Sequence, residues 1–195
     1  GDETEVDVRD TMNAGTGIER KIGLVTLAFA RKQTLAFLED ITQANAVHQP
    51  CAGANHAAWI AGHIAWEDDS ILTSMKPRAS VLPPTYTKLF GTGSSATTDA
   101  SMYPTLDQLR EKLVQIREEL IAWFSNLSEQ QLRSPLPTDH AGYAENFAGL
   151  MSTLAWHEGL HAGRRRFPGT QAGVAGELDG HRPVDVNALP AELQG

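Results

Sequence analysis

Between Thr105 and Leu127 the apolar side chains Leu106, Leu109, Leu113, Ile116, Leu120, Trp123 and Leu127 recur at alternating steps of three and four. That period winds one continuous stripe along a helix, the pattern of a helix that packs against other helices. Thr105 and Gln108 ahead of it form a capping box, in which the two side chains satisfy backbone donors that the first turn leaves unpaired. A chain containing such a segment, with no strand-like alternation elsewhere, must bury the stripe against further helices.

Three more helical segments supply them. Thr16 and Glu19 repeat the capping-box spacing and predict a first helix over 17–41, with Ile18, Ile22, Val25 and Phe29 on its apolar face and Leu24, Leu27, Leu35 and Leu38 beside them. After Pro50, Gly53 and Asn55, the run His56 to Thr73 predicts a second helix capped by Asn55. Residues 74–104 carry Pro77, Pro83, Pro84, Gly91, Gly93 and Pro104 without a sustained period, and predict a long connection. Past Pro135, Pro137 and Gly142, the residues Phe147, Leu150 and Leu154 open a fourth helix that ends at Arg164-Arg165-Arg166, where positive charge suits the helix dipole. The expected fold is an all-α four-helix bundle over 16–167, with a long crossover between the second and third helices that lets them run parallel. Residues 1–15 are expected to be a flexible N-terminus, and 168–195, rich in Gly and Pro, an irregular C-terminal tail.

Composition narrows the partners. At 195 residues, 41% hydrophobic and 21% charged, the chain suits one core. Its 16 basic and 24 acidic residues give a net charge of -8, which repels phosphate backbones and anionic lipid, so neither nucleic acid nor membrane is an expected partner. A single cysteine, Cys51, excludes an intramolecular disulfide and a cysteine-built zinc cluster. With an acidic opening and no apolar run of spanning length, a cytoplasmic location is expected.

The chemistry concentrates on the fourth helix, whose stripe continues from Leu154 into His157 and His161. An i,i+4 pair projects both rings from one face, about 5–6 Å apart at Cβ, within reach of one metal ion. Two adjacent buried imidazoles repel when protonated and need separate partners when neutral, whereas a shared divalent metal satisfies both. The second helix offers a third ligand, His63, in the stripe Ile60, His63, Glu67, Ile71. His56, in the first turn, suits a solvated or capping role, and His48, His140 and His181 fall in loops or tail and are expected at the surface.

Three neutral imidazoles leave a coordination position open, the catalytic pattern for zinc, and all-nitrogen ligation equally admits nickel, copper or iron. Residues 157–161 also spell HExxH, the zinc-peptidase signature in which the glutamate, here Glu158, is the general base. The extended metzincin form fails, because Arg164 and Phe167 stand where Gly and His are required. Glu158 points about 100° around the helix from His157, which also fits a surface or helix-contact carboxylate. Glu67, one turn beyond His63, is a candidate ligand support or acid–base group. Trp59, Trp66 and Trp156 are expected to fill the core, and Cys51 is expected to be a small buried residue.

Asn55 to Glu67, Leu89-Phe90-Gly91 with Tyr103-Pro104, and His157 to Gly163 together resemble the DinB/YfiT-like superfamily over roughly residues 17–167. The resemblance implies a four-helix bundle with a long crossover. It also implies a divalent metal, zinc or nickel before iron or copper, held by one histidine of the second helix and an HxxxH pair of the fourth. By position these are His63, His157 and His161. Relatives of that kind include transferases and isomerases that use a low-molecular-weight thiol cosubstrate, and metal-dependent hydrolases; many are homodimers. The implied activity is therefore activation of a thiol or of water for attack on a small-molecule substrate. Its alternatives are a non-catalytic metal- or ligand-binding bundle and an HExxH peptidase. The Glu158 carboxylate and the Gly/Pro tail depart from the family's pattern.

Overall fold

Four long helices and two short ones make up the computed structural model, which describes residues 8–163. The long helices are α1 (Val8–Glu39), α2 (Ala57–Met75), α4 (Leu106–Ser125) and α6 (Phe147–Gly163); the short ones are α3 (Thr85–Phe90) and α5 (Glu129–Arg133). No strand occurs among the described residues. The tail 168–195 and His181 lie outside them.

The stripe on α4 behaves as its spacing requires. Leu106, Leu109, Leu113, Ile116 and Leu120 are buried, and both halves of the Thr105–Gln108 capping box form. At the end of the helix Phe124 rather than Trp123 takes the fully buried place. On α2 the cap is His56 rather than Asn55: its Nδ1 accepts the Trp59 backbone N–H at 3.1 Å and its Nε2 meets the Thr97 carbonyl at 2.8 Å. His56 therefore caps, as expected, but from a fully buried position.

α1 differs most from its sequence pattern. It spans from Val8, so Thr16 lies inside the helix rather than at its N-terminus, and residues 8–15 are helical rather than a flexible lead. Its core face is Leu27, Arg31, Thr34 and Leu38, while Ile18, Ile22, Val25 and Phe29 face away from the core at 59%, 60%, 61% and 60% exposure. Two faces of this helix carry apolar residues at helical spacing, and the core took the one that also carries an arginine.

Contacts along the helices fix their directions. Arg20, Arg31 and Arg110 donate to the carbonyls of Leu127, Leu113 and Leu38 respectively, so α1 and α4 are antiparallel. Gly23 packs on Met151, and Arg31 pairs with Glu158, so α1 and α6 run together. Asp68 pairs with Arg117 and Lys76 with Glu119, so α2 and α4 also run together, as the crossover permits. That crossover is not structureless. It contains α3, whose Tyr86 and Phe90 are buried in the core.

One charged residue from each long helix meets at the centre. Arg31, Asp68, Arg117 and Glu158 form a closed square: Arg31 Nε to Glu158 Oε1 at 2.7 Å, Arg31 Nη2 to Asp68 Oδ2 at 2.9 Å, Arg117 Nε to Asp68 Oδ2 at 2.8 Å, and Arg117 Nη2 to Glu158 Oε2 at 2.7 Å. Two cations and two anions cancel. Arg117 Nη1 also donates to the Leu27 carbonyl at 3.0 Å, which supplies the extra hydrogen bonding a buried ion pair needs. Burial alone would raise Asp68, but the guanidinium groups of Arg117 and Arg31 outweigh it and hold the carboxyl below its ordinary range.

Candidate metal centre

His63 on α2 and His157 and His161 on α6 converge. Ligand atoms of the three imidazoles all lie within 4.8 Å of one another. The ring centroids are separated by 5.2 Å (His63–His157), 4.7 Å (His63–His161) and 4.5 Å (His157–His161). His63 and His161 are buried and His157 is half-buried, so the cluster meets solvent on the His157 side.

Several features fit these rings to one cation. The two Nε2 atoms of His157 and His161 are 3.1 Å apart, close to the roughly 3.3 Å expected between two nitrogens sharing a tetrahedral zinc. His63 Nδ1 faces the Phe90 carbonyl at 2.7 Å. A carbonyl only accepts, so Nδ1 carries the proton and Nε2 keeps its lone pair for a metal, the usual way a backbone carbonyl orients a ligand histidine. Burial pushes the His63 imidazole below its ordinary value, with the nearby His157 adding in the same direction; the Phe90 carbonyl and the Glu67 charge oppose this less strongly. The neutral form is the one that ligates.

Local packing explains how Phe90 reaches His63. Gly62 precedes His63 on α2, and any Cβ there would overlap the Phe90 ring. The missing side chain lets α3 lie close against α2 and brings the last carbonyl of α3 to the imidazole. Trp59 stacks on the other side of the site, 4.6 Å from the His63 ring and 12° from parallel, with its Nε1 donating to Ser94 Oγ at 3.0 Å.

The profile of the DinB superfamily matches residues 26–164. The chain belongs to the DinB superfamily. No curated protein matches it. Membership agrees with the helical fold and makes the histidine cluster compatible with metal binding, as the resemblance implies.

The remaining sequence candidates of this DinB-family chain divide. Glu67 is buried, stands outside the ligand cluster, and lines a cleft of about 420 Å³ together with His157, Leu154, Trp156 and Tyr143. A smaller cleft of about 200 Å³ lies between Gly53–Asn55 and His161. Glu158 is elsewhere: its carboxylate is 1% exposed and bound by Arg31 and Arg117. Both of its oxygens are taken up by the two guanidinium groups at the bundle centre, so the general-base role finds no geometric support and the helix-contact role does.

The aromatic expectation fails in part, because Trp156 is 65% exposed and forms a wall of the larger cleft instead of core. Cys51 is exposed rather than buried. His48 is exposed as expected, whereas His140 is half-buried beside Asp139 at 3.1 Å.

Sequence reasoning missed Tyr143. It sits in the α5–α6 loop, where no periodicity marks a functional residue. Burial, and then the charge and hydrogen bonding of the Glu67 carboxylate that faces it, push its phenol up to about 12. Among the described residues, no helix is long and apolar enough to cross a membrane.

Proposed function

We propose that the protein is a metal-dependent enzyme in which His63, His157 and His161 hold a divalent ion, zinc or nickel, and that it joins a low-molecular-weight thiol to a small electrophile. The observation that carries this reading is the convergence of three imidazoles from two helices beside a cleft. When bound, such an ion supplies a Lewis acid able to deprotonate a thiol or a water at neutral pH. The chain's own groups do the rest. The Phe90 carbonyl holds the Nδ1 proton of His63 and Trp59 fixes the ring plane, so the ligand set is oriented before anything binds. Leu154 and Trp156 give the larger cleft apolar side chains beside His157.

Thiol transfer is favoured over hydrolysis by the two separate clefts, one reaching His157 and one reaching His161. A reaction of two organic substrates needs two approaches to the reacting centre; hydrolysis needs one. The peptidase reading is not carried forward, because its base, Glu158, is spent in the ionic square.

The test is incubation of metal-loaded protein with panels of small thiols and electrophiles, and separately with ester and amide substrates. The proposal expects conjugates whose formation stops on chelation and in His161→Ala. Hydrolysis without conjugation would favour water as the nucleophile. Metal binding with no turnover across the panels would leave a binding module.

A further inference from the structure

Glu67 is the buried charge of the larger cleft. It is 5% exposed, and among the described residues no lysine or arginine pairs with it or lines the cleft. Tyr143 offers its carboxylate a hydroxyl, which occupies a lone pair but supplies no positive charge. The imidazole that lines the cleft with it is His157. An ionised carboxylate withdrawn from water is costly unless a cation meets it. The same chain pairs its other buried carboxylates among the described residues with arginine: Asp68 and Glu158 each have two guanidinium partners in the square at the bundle centre, and Asp69 has Arg78 at 2.9 Å. Glu67 has no guanidinium partner of this kind and stands on the wall of a cleft that His157 also lines.

The rest of the lining points the same way. Trp156 and Tyr143 belong to the lining, and aromatic rings attract cations through the ring quadrupole. Asp139, at 75% side-chain exposure and 3.1 Å from His140 Nδ1, is a second carboxylate of the lining. Two carboxylates and two aromatic rings, with no lysine or arginine among the lining residues, make an environment that favours cations over anions.

We propose that this cleft selects small molecules bearing a cationic nitrogen, an ammonium or quaternary ammonium group seated against Glu67 between Trp156 and Tyr143. Glu67 is then a substrate-anchoring group instead of the ligand support or acid–base group its sequence position suggested. The selectivity rests on the reading of this cleft as the substrate side of the metal centre. It is measured as binding, so it stands or falls without turnover.

The probes are choline and its uncharged carbon isostere 3,3-dimethylbutan-1-ol, which match in shape and differ in charge. Affinities are measured by titration calorimetry on the full chain as purified and again after chelation. Choline is expected to bind about tenfold or more tightly than the isostere after chelation, and less selectively while a divalent ion is held beside the cleft, with the ratio shrinking as salt is added. Glu67→Gln should bring the ratio to about one while the far-ultraviolet circular dichroism stays that of the parent. Should that variant fold poorly, Trp156→Leu, at an exposed position, should weaken choline roughly two- to fivefold and spare the isostere. Equal binding of the two probes, or a ratio that survives in both variants, overturns the proposal. Intact selectivity in a protein that shows no metal-dependent reaction would refute the proposed activity and leave this inference standing.

Discussion

Glu158→Gln separates two accounts of one residue. If Glu158 were the base of an HExxH peptidase, the amide would remove activity and leave stability alone. The structure predicts a different outcome, because the carboxylate accepts from Arg31 Nε at 2.7 Å, from Arg31 Nη2 at 3.4 Å and from Arg117 Nη2 at 2.7 Å, with 1% of it exposed. Glutamine keeps the shape but turns an NH2 toward a guanidinium group and leaves the square with a net positive charge among four helices. Removing one partner of a buried ion pair costs about 3–5 kcal/mol. For a chain of this size each kcal/mol moves the melting temperature by about 2–4 °C, so the loss is roughly 6–20 °C. Asp68→Asn should cost a similar amount, and the two changes together less than their sum, because both carboxylates share the same two arginines. Thermal unfolding followed by circular dichroism reads all three variants. A Glu158→Gln protein that melts with the parent would refute the structural role.

Other parts of the fold give predictions of their own. Gly62→Ala should push Phe90 away from α2, release His63 from the Phe90 carbonyl and weaken metal binding about 10–100-fold in a chelator competition. Leu27→Ala should cost about 2–5 kcal/mol in urea unfolding, whereas Ile22→Ala, on the outward face of α1, should cost less than about 0.5 kcal/mol. Burial pushes His56 below its ordinary 6.5, so the unfolded chain takes up the proton first and stability falls as pH drops below that value toward the folded one. His56→Asn, which caps without titrating, should therefore lose less of its urea midpoint between about pH 7 and pH 5 than the parent does.

The third and fourth helices and the histidine cluster were legible because in each a single apolar stripe coincided with what was buried. The stripe on α4 has no rival. On α6 the histidines continue a leucine stripe, and their partner His63 holds a core-phase position on α2. α1 was misread because it carries two stripes, and Ile18, Ile22, Val25 and Phe29 make the more uniformly apolar one. The core instead took the face with Arg31, a choice a residue-by-residue reading disfavours. The signal that would have corrected it lies in the other helices: Asp68, Arg117 and Glu158 also stand in phase with core leucines and isoleucines, giving two buried charges of each sign. Charges that cancel across four helices make the polar face of α1 a buriable one. The place of Tyr143 depends on how the α5–α6 loop meets the bundle, which helical period does not encode, whereas Trp156 stands about 200° around α6 from Leu154, on the exposed face with Ser152 and Gly159.

The most direct test of the central claim is the metal content of protein purified without added metal, compared with that of His63→Ala. His63 is the ligand contributed from outside α6, so its loss tests convergence between helices and not merely a histidine pair. The structure predicts about one equivalent of a divalent transition metal per chain in the parent and its loss on dialysis of the variant. A parent that neither carries nor takes up zinc or nickel, or a variant that retains the parent's stoichiometry, would contradict a centre built from these three imidazoles.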